Sequence, residues 1–430
     1  MSVLEYGTKV SLTYRAAHPR IHGHFERKGI LMYSALVRSW ISRVSRRPAG
    51  AVLALPVLLL PLVAVTPAAQ AQTFSLLYSF TGAPDGAYPY AGVIEDSSGT
   101  LYGTTYWAGA GNEGTVFELN SSGAESVLYS FRGSSDGYGP YATVARDGKG
   151  NLYGTTPYGG TSYYGVLFEV DTAGKETVLH NFADGTGGDV PYGGLLLDKS
   201  GNLYGTTAAG GAFNYGTIFK LSKDGNYTVL HSFAGPPTDG GNPTIGNLIM
   251  DRKGSLYGVT AQGGSSGYGA VYRLTNDAQL AVLYSFSAAS GVYPTGTLAR
   301  DKSGNLYGTT KEGGAYGVGT VWKLSARGTE KTLHDFDGGT TDGESPYPGV
   351  VLDAEGNLYG DTYEGGASDY GTVYEVSNTG EFTLLHSFTN YPSDGATPYG
   401  SLLLDAQGAL VGTTYAGGAY GWGTVWKLTP

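Results

Sequence analysis

Four histidines follow residue 72: His180, His231, His334 and His386. All four fall at one position of a recurring pattern, and Tyr78, Tyr129 and Tyr284 fill that slot elsewhere. Residues spread one per repeat cannot converge on one metal or one nucleophile, so a His-based metal site or triad is not expected. A slot shared by His and Tyr reads as a packing position with a satisfied polar tip. The absence of Cys removes zinc–thiolate, iron–sulfur and disulfide chemistry. A catalytic pair would have to break the repeat, because catalysis is a single site. The loop acids that break it are Glu113, Glu312, Asp361, Glu364 and Asp369. Glu312, Asp361 and Glu364 come from adjacent repeats and are the candidate catalytic set, since two carboxylates about 5–10 Å apart would permit glycoside hydrolysis. The opposing reading is scattered surface acids in an acidic chain.

Aromatic residues are the richer signal. The chain of 430 residues has 35 Tyr and 71 Gly. One position following a recurrent Pro holds Tyr90, Tyr141, Tyr192, Thr244, Thr295, Tyr347 and Tyr399. Glycine-rich loops add Trp107 and Trp422 among many tyrosines. Aromatic rings with a polar tip suit a wet binding surface for sugar rings or protein partners. The opposing reading is packing of repeat against repeat. Two rings of Asp also recur. Asp96, Asp147, Asp198, Asp251, Asp301, Asp353 and Asp405 read as turn caps. Asp85, Asp136, Asp239, Asp342 and Asp394 sit in Asp-Gly-x-x-Pro segments. One Asp per repeat does not supply the six to eight oxygens that calcium needs. No metal and no cofactor is expected.

These residues must be positioned by a repeating scaffold. Leu-Tyr-Gly begins at 101, 152, 203, 256, 306 and 358, with Leu410-Val411-Gly412 as a seventh copy. The steps are 51, 51, 53, 50, 52 and 52 residues, which reads as a propeller, solenoid or array. Each repeat has four strand signals, A to D, separated by Gly/Asp/Asn turns. In repeat three they are Gly194–Leu197, Asn202–Thr207, Gly216–Leu221 and Tyr227–Phe233. Strand A is apolar at nearly every position, with Glu95, Arg146 and Arg300 as exceptions near its end, and is expected to be buried on both faces. The array opens on a D-type strand, residues 73–80, and ends on a C-type strand, residues 423–428. A ring closes by sharing a repeat between its ends, which hides the edge, whereas an open solenoid has no reason to. The expected fold is all-β: a seven-bladed β-propeller of four-stranded antiparallel blades over residues 72–430, the last blade closed by the N-terminal strand.

The recurring string Asp-x-x-Gly-Asn-Leu-Tyr-Gly-Thr-Thr, then Gly-Gly, Tyr-Gly-Thr-Val-Phe/Trp-Lys-Leu and Val-Leu-Tyr/His-Ser-Phe resembles the bacterial GloVer, or choice-of-anchor, tandem repeats. The resemblance covers residues 73–430 and implies a secreted or surface protein. Some members of that family carry a C-terminal sorting anchor. This chain stops at Pro430 directly after strand C, which leads to the expectation of a free secreted protein. Weaker likeness to kelch and NHL repeats supports a propeller and names no ligand.

Residues 1–71 read as an N-terminal extension and secretory signal. Arg38, Arg43, Arg46 and Arg47 precede the apolar run Ala49–Val65, and Ala69-Gln70-Ala71 is a small-x-small cleavage pattern. Met32 would give a signal of ordinary length, so either Met1 or Met32 serves as the start. This segment holds nine of the 26 Lys/Arg and two of the 36 Asp/Glu. The remainder carries 17 basic and 34 acidic residues, net −17. Such a surface repels polyanions, so nucleic acid is not an expected partner. Cleavage would leave no membrane segment. The sequence reading is thus an exported, monomeric, non-enzymatic propeller presenting a Tyr-rich face, with Tyr90, Tyr141, Tyr192, Tyr347, Tyr399, Trp107 and Trp422, to a glycan or an extracellular protein. The alternatives are a polysaccharide hydrolase or lyase of the same fold and a surface-structural repeat protein.

Overall fold

The computed structural model describes residues 72–243 and 246–429. The expected signal segment, residues 1–71, and Thr244 lie outside the described residues. Seven four-stranded antiparallel sheets form the seven blades of a β-propeller. Blade 1 is typical, with strands Ile94–Glu95, Leu101–Thr105, Thr115–Leu119 and Glu125–Ser130 in that order. Blade 7 takes Leu403–Leu404, Leu410–Thr414 and Thr424–Thr429 from the end of the chain. Its fourth strand is Thr73–Ser79, paired antiparallel with Thr429 through Thr424. The ring therefore closes through backbone hydrogen bonds between the first and last strands. The described residues contain no helix long and apolar enough to cross a membrane.

The Leu-Tyr-Gly marker has a steric origin. The ring of Phe117 lies across Gly103, so a Cβ there would collide with it. Phe168, Phe219, Tyr272, Trp322, Tyr374 and Trp426 cover Gly154, Gly205, Gly258, Gly308, Gly360 and Gly412 in the same way. Glycine on strand B makes room for the aromatic of strand C. Two residues on, the second Thr of strand B meets the first Thr of strand C. Their hydroxyls lie 2.8 Å apart for Thr105–Thr115, Thr207–Thr217, Thr310–Thr320 and Thr362–Thr372, fully buried.

Blades are joined by aromatic edges. Each strand D is followed directly by a fully buried Phe: Phe80, Phe131, Phe182, Phe233, Phe286, Phe336 or Phe388. Each packs edge-to-face on the strand C aromatic of the next blade, for example Phe80 on Phe117 at 5.1 Å and Phe388 on Trp426 at 5.7 Å. Such pairs contribute roughly 0.5–1.5 kcal/mol each beyond the area they bury. The seven hydrophobic clusters correspondingly span blade pairs, as where Tyr102 and Phe131 pack with Leu152 and Phe168.

Strand A differs from expectation. Its ladder is only two or three residues long in six blades, and the leucines Leu196–Leu197 are half-buried. The reason is position. Strand A lines the axis, where the half-buried Ile94, Val351, Leu403 and Leu404 border an open funnel of about 480 Å³, while Val93, Leu298 and Leu402 stay buried in the blade packing.

Candidate functional site

The axis is pinched at its middle. Strand A residues from opposite sides meet there: Gly92, Thr143, Asn247, Gly296, Pro348, Gly400 and Ser401 surround a gap of about 10 Å³. A Cβ on Gly92 would strike the Ser401 carbonyl. Thr297 Oγ1 accepts from the Asn247 amide at 3.0 Å, and Ser401 Oγ donates to the Pro348 carbonyl at 3.2 Å. The pinch separates the lower funnel from an upper cavity of about 640 Å³, a cup with a closed floor.

The cup has two unlike walls. Tyr90, Tyr141, Tyr347 and Tyr399 line it, with Tyr363 and Tyr415 beside them. The tyrosines are not separate platforms around an axis. Tyr90 stacks on Tyr141 at 4.3 Å, Tyr399 meets Tyr90 edge-on at 5.0 Å, and Tyr347 leans on Tyr399 at 4.2 Å. With Thr295 in blade 5 tucked away and bonded to the Tyr347 carbonyl at 2.8 Å, the five rings lean together across the axis. Tyr192 belongs to this cluster, edge-on to Tyr141 at 5.3 Å, with its hydroxyl 2.7 Å from that of Tyr158. It is not part of the cup lining. Burial and neighbouring hydroxyls push the phenols of Tyr90, Tyr141, Tyr192 and Tyr399 well above the usual range, so all remain neutral donors.

The other wall comes from blades 5 and 6: Lys311, Glu312, Gly317, Val318, Glu344 and Glu364. Lys311 Nζ lies 3.9 Å from Glu312 Oε1 and 5.5 Å above the Tyr347 ring. Glu344 and Glu364 are direct cross-strand partners. Burial, then the charges of Glu364 and Asp369, raise the Glu344 carboxyl above its ordinary range.

The structure thus brings Glu312 and Glu364 to one cavity but does not bring Asp361 there. Asp361 is fully buried within blade 6, opposite Val373. Strand alternation explains this. Asp361 occupies the first Thr position of strand B, whose side chain points at the neighbouring blade: Thr104 Oγ1 donates to the Ala142 carbonyl at 3.2 Å and Thr413 Oγ1 to that of Ala91 at 2.8 Å. Neither oxygen of Asp361 has a hydrogen-bond partner, and burial raises its carboxyl well above the ordinary range.

Trp107 and Trp422 do become neighbours through ring closure. The Ala87 amide donates to the Trp107 carbonyl and the Tyr88 amide to the Trp422 carbonyl, both at 2.9 Å. They remain 41% and 37% exposed, on the rim above blades 1 and 7 rather than in the cup. Tyr420, on the Trp422 loop, and Tyr163 and Tyr316, on other loops, extend this exposed aromatic rim.

Sequence reasoning missed Lys311, Glu344, Tyr363 and Tyr415. A signal existed for three of them. The residue after Thr-Thr on strand B is Tyr106, Pro157, Ala208, Ala261, Lys311, Tyr363 or Tyr415, large on one side of the ring and small on the other. Sequence reasoning also treated as separate two positions that form one motif. Asp85 and Asp136 accept the hydroxyls of Tyr78 and Tyr129 at 2.6 and 2.8 Å. Asp239 and Asp342 take the Nε2 of His231 and His334 at 2.8 and 3.1 Å. The same carboxylates accept backbone amides, as Asp85 does from Thr81 at 3.0 Å. These Asp are structural clasps between strand D and the next blade. Among the described residues, no three His, Asp or Glu are placed to hold a metal. The second Asp ring caps its own turns: Asp198 Oδ1 accepts the Ser200 and Asn202 amides at 2.8 and 2.9 Å.

A family model described as the Gloeobacter/Verrucomicrobia repeat matches residues 62–249 and again 244–430. A comparison with curated proteins finds no match. Among solved structures, the extracellular domain of BT3049 from B. thetaiotaomicron, described as belonging to a hybrid two component system, aligns at TM-score 0.54 and 14% identity. That alignment covers 83% of this chain and 41% of that one. The extracellular domain of BT4673 from the same organism, described as a one component system, aligns at TM-score 0.53 and 13% identity over 84% of this chain and 42% of that one. This chain therefore spans about two fifths of those structures. At such identities the likeness concerns the propeller alone.

Proposed function

The chain belongs to the Gloeobacter/Verrucomicrobia repeat family, and we propose that in this member the cup is a carbohydrate-binding site on an exported, non-enzymatic propeller. One observation carries the reading: a closed-floor cavity of about 640 Å³ walled by six tyrosines. A sugar presents an apolar face and a rim of hydroxyls. Tyrosine answers both, with a ring to stack on and a neutral phenol to donate and accept. The volume lies in the range of small-molecule sites, about 300–1,000 Å³. The pinched floor makes the cup a place of arrest rather than a passage. The exposed rim rings, Trp107 and Trp422 among them, would extend contact along a longer chain and add avidity. Export is supported by the signal pattern before Gln72 and is compatible with the extracellular propellers of similar fold.

A hydrolase reading retains one specific support, because Glu312, Glu344 and Glu364 share the cup. Burial of Asp361 removes it from that reading. Release of reducing ends from a bound polysaccharide would favour the enzyme.

The test is a glycan array followed by titration of the best ligand. Tyr399→Ala should weaken binding by about 1–3 kcal/mol, the range of an aromatic hot spot. Tyr192→Ala, outside the cup lining, should leave affinity within about threefold. Equal losses in both variants, or unchanged affinity in Tyr399→Ala, would refute the assignment of the cup.

A further inference from the structure

The tyrosine wall suits any sugar face, but it leaves the opposite wall unexplained. Glu344 and Glu364 are direct cross-strand partners in the short ladder Gly343–Glu344 with Glu364–Gly365. Direct partners place their Cβ atoms about 5 Å apart, and like charges there are destabilising. The scaffold does not require the pair. The same bridge is built in other blades from Ala87 with Trp107, Tyr138 with Tyr158, Asp189 with Ala209, Gly241 with Gln262, Val292 with Glu312, and Ala396 with Ala416. Only blade 6 opposes two carboxylates. Glu312 adds a third from the equivalent position of blade 5, and Lys311 supplies the lone cation of the lining. With every group ionised, the lining carries net −2. The Lys311 ammonium is engaged by Glu312 and the Tyr347 ring, not by the Glu344–Glu364 pair.

The repeat is thus broken in the direction of repulsion, and the break lies inside the cavity. A bound cation would remove that repulsion. Lys311, 5.5 Å above the Tyr347 ring, already shows that this aromatic wall accommodates a cation. Resting on the carbohydrate reading, we infer that the cup selects a sugar bearing a protonated amine, a carbohydrate containing free 2-amino-2-deoxyhexose residues. The tyrosines take the apolar face and the carboxylates take the ammonium. An N-acetylated residue has the same ring but no charge to answer Glu344 and Glu364. A uronic acid would be repelled.

The test compares four probes on the purified protein by calorimetric titration in slightly acidic, low-salt buffer. The probes are glucosamine oligomers, the matching N-acetylglucosamine oligomers, cello-oligomers and spermidine. Glucosamine oligomers should bind at least about tenfold more tightly than either other oligomer, with a preference that falls as salt rises. Glu344→Gln with Glu364→Gln should erase that preference while leaving the melting temperature unchanged or higher, since the repulsion is gone. Tyr399→Ala should weaken every oligosaccharide alike. N-acetylated or cello-oligomers binding as well as the amine form would overturn the inference and leave the carbohydrate reading standing. Spermidine binding without any sugar, or no binding by any probe, would overturn the inference, and the carbohydrate reading would then be decided by the glycan array alone.

Discussion

Asp361 offers the sharpest test of the blade packing. Its equivalents in three blades are Thr104, Thr155 and Thr413, which donate to the next blade at 3.2, 3.0 and 2.8 Å. In blade 4 the position is Val259. Asp361 is fully buried with neither oxygen bonded. An unpartnered buried polar group costs about 1–3 kcal/mol, and a regained hydrogen bond contributes about 1. Asp361→Thr should therefore stabilise the fold by about 2–4 kcal/mol, and Asp361→Val, copying blade 4, by about 1–3. The gain should also depend on pH. Burial holds the native carboxyl above its ordinary range, so the native state keeps a proton that the unfolded chain releases above about pH 4. Wild-type stability then falls by up to about 1.4 kcal/mol for each pH unit in which that difference persists. Threonine and valine remove the slope, so their advantage should grow from acid toward neutral pH. Urea denaturation at two pH values measures it. Near a transition entropy of about 2.1 cal/mol/K per residue, 3 kcal/mol corresponds to roughly 3–5 °C in melting temperature. A destabilised Asp361→Thr, or a gain equal at both pH values, would refute the reasoning.

Deleting residues 73–80 removes the closing strand and with it the half-buried Phe74 and Leu77 and the fully buried Phe80; a loss of roughly 3–6 kcal/mol is expected at ~1.5–3 per fully buried large side chain and half that for the other two, and an unchanged melting temperature would disprove closure. Burial and the nearby Asp85 or Asp136 push Glu125 and Glu176 up to about 7, so these groups favour the fold below that value and the advantage is lost as pH rises from about 4.5 to 7. The turn caps act oppositely, with Asp96 held down at about 2 mainly by the Ser98 hydroxyl, so stability should peak at about pH 4 and Glu125→Gln with Glu176→Gln should flatten the neutral limb of a melting-temperature profile. A chelator should move the melting temperature by no more than about 1 °C, and a larger drop would restore a metal role to the Asp-Gly loops.

The blades were legible because their determinants are local. Leu-Tyr-Gly, the Thr pairs and the Asp turn caps repeat every fifty residues, and each is satisfied within one blade or its neighbour. Closure was legible for the same reason, since the two partial repeats at the ends complete one pattern. The site was less so. Tyr90, Tyr141, Tyr347 and Tyr399 stood out by position, but their leaning on one another across the axis joins residues of different blades and is written in no single repeat. Glu344 carried no signal as a single acid; it acquires one only opposite Glu364. Asp361 was misplaced because a residue following Gly360 was read as loop, whereas strand B runs from Leu358 to Thr362 and alternation turns Asp361 inward.

Departures from the repeat occur in two kinds, and the contrast bears on function. On the outer rim they come in compensating pairs. Where strand D holds His180, His334 or His386, the next blade offers Tyr227, Phe382 or Phe74, stacked at 3.8, 4.0 and 3.9 Å. Where it holds Tyr284, the next blade offers Glu330, whose carboxylate accepts the hydroxyl at 3.2 Å. Tyr78 and Tyr129 instead give their hydroxyls to Asp85 and Asp136 of the segment leading into the next blade, at 2.6 and 2.8 Å. His231 breaks the rule, with Leu280 at the matching position. An aromatic opposite His and an acid opposite Tyr give each junction its own fit, which favours the native order of blades over a permuted one. A change on the rim is thus answered from within the chain. In the cup, the change to paired Glu344 and Glu364 has no such answer on the neighbouring blade, although the bridge it occupies forms elsewhere from apolar residues. Drift at a structural position gives either such compensation or, as at Asp361, a buried group sealed from solvent, and Glu344 and Glu364 are neither, since they line an open cavity. An uncompensated repulsion inside a tyrosine-walled cavity is better explained by a partner that arrives from outside and carries the missing charge.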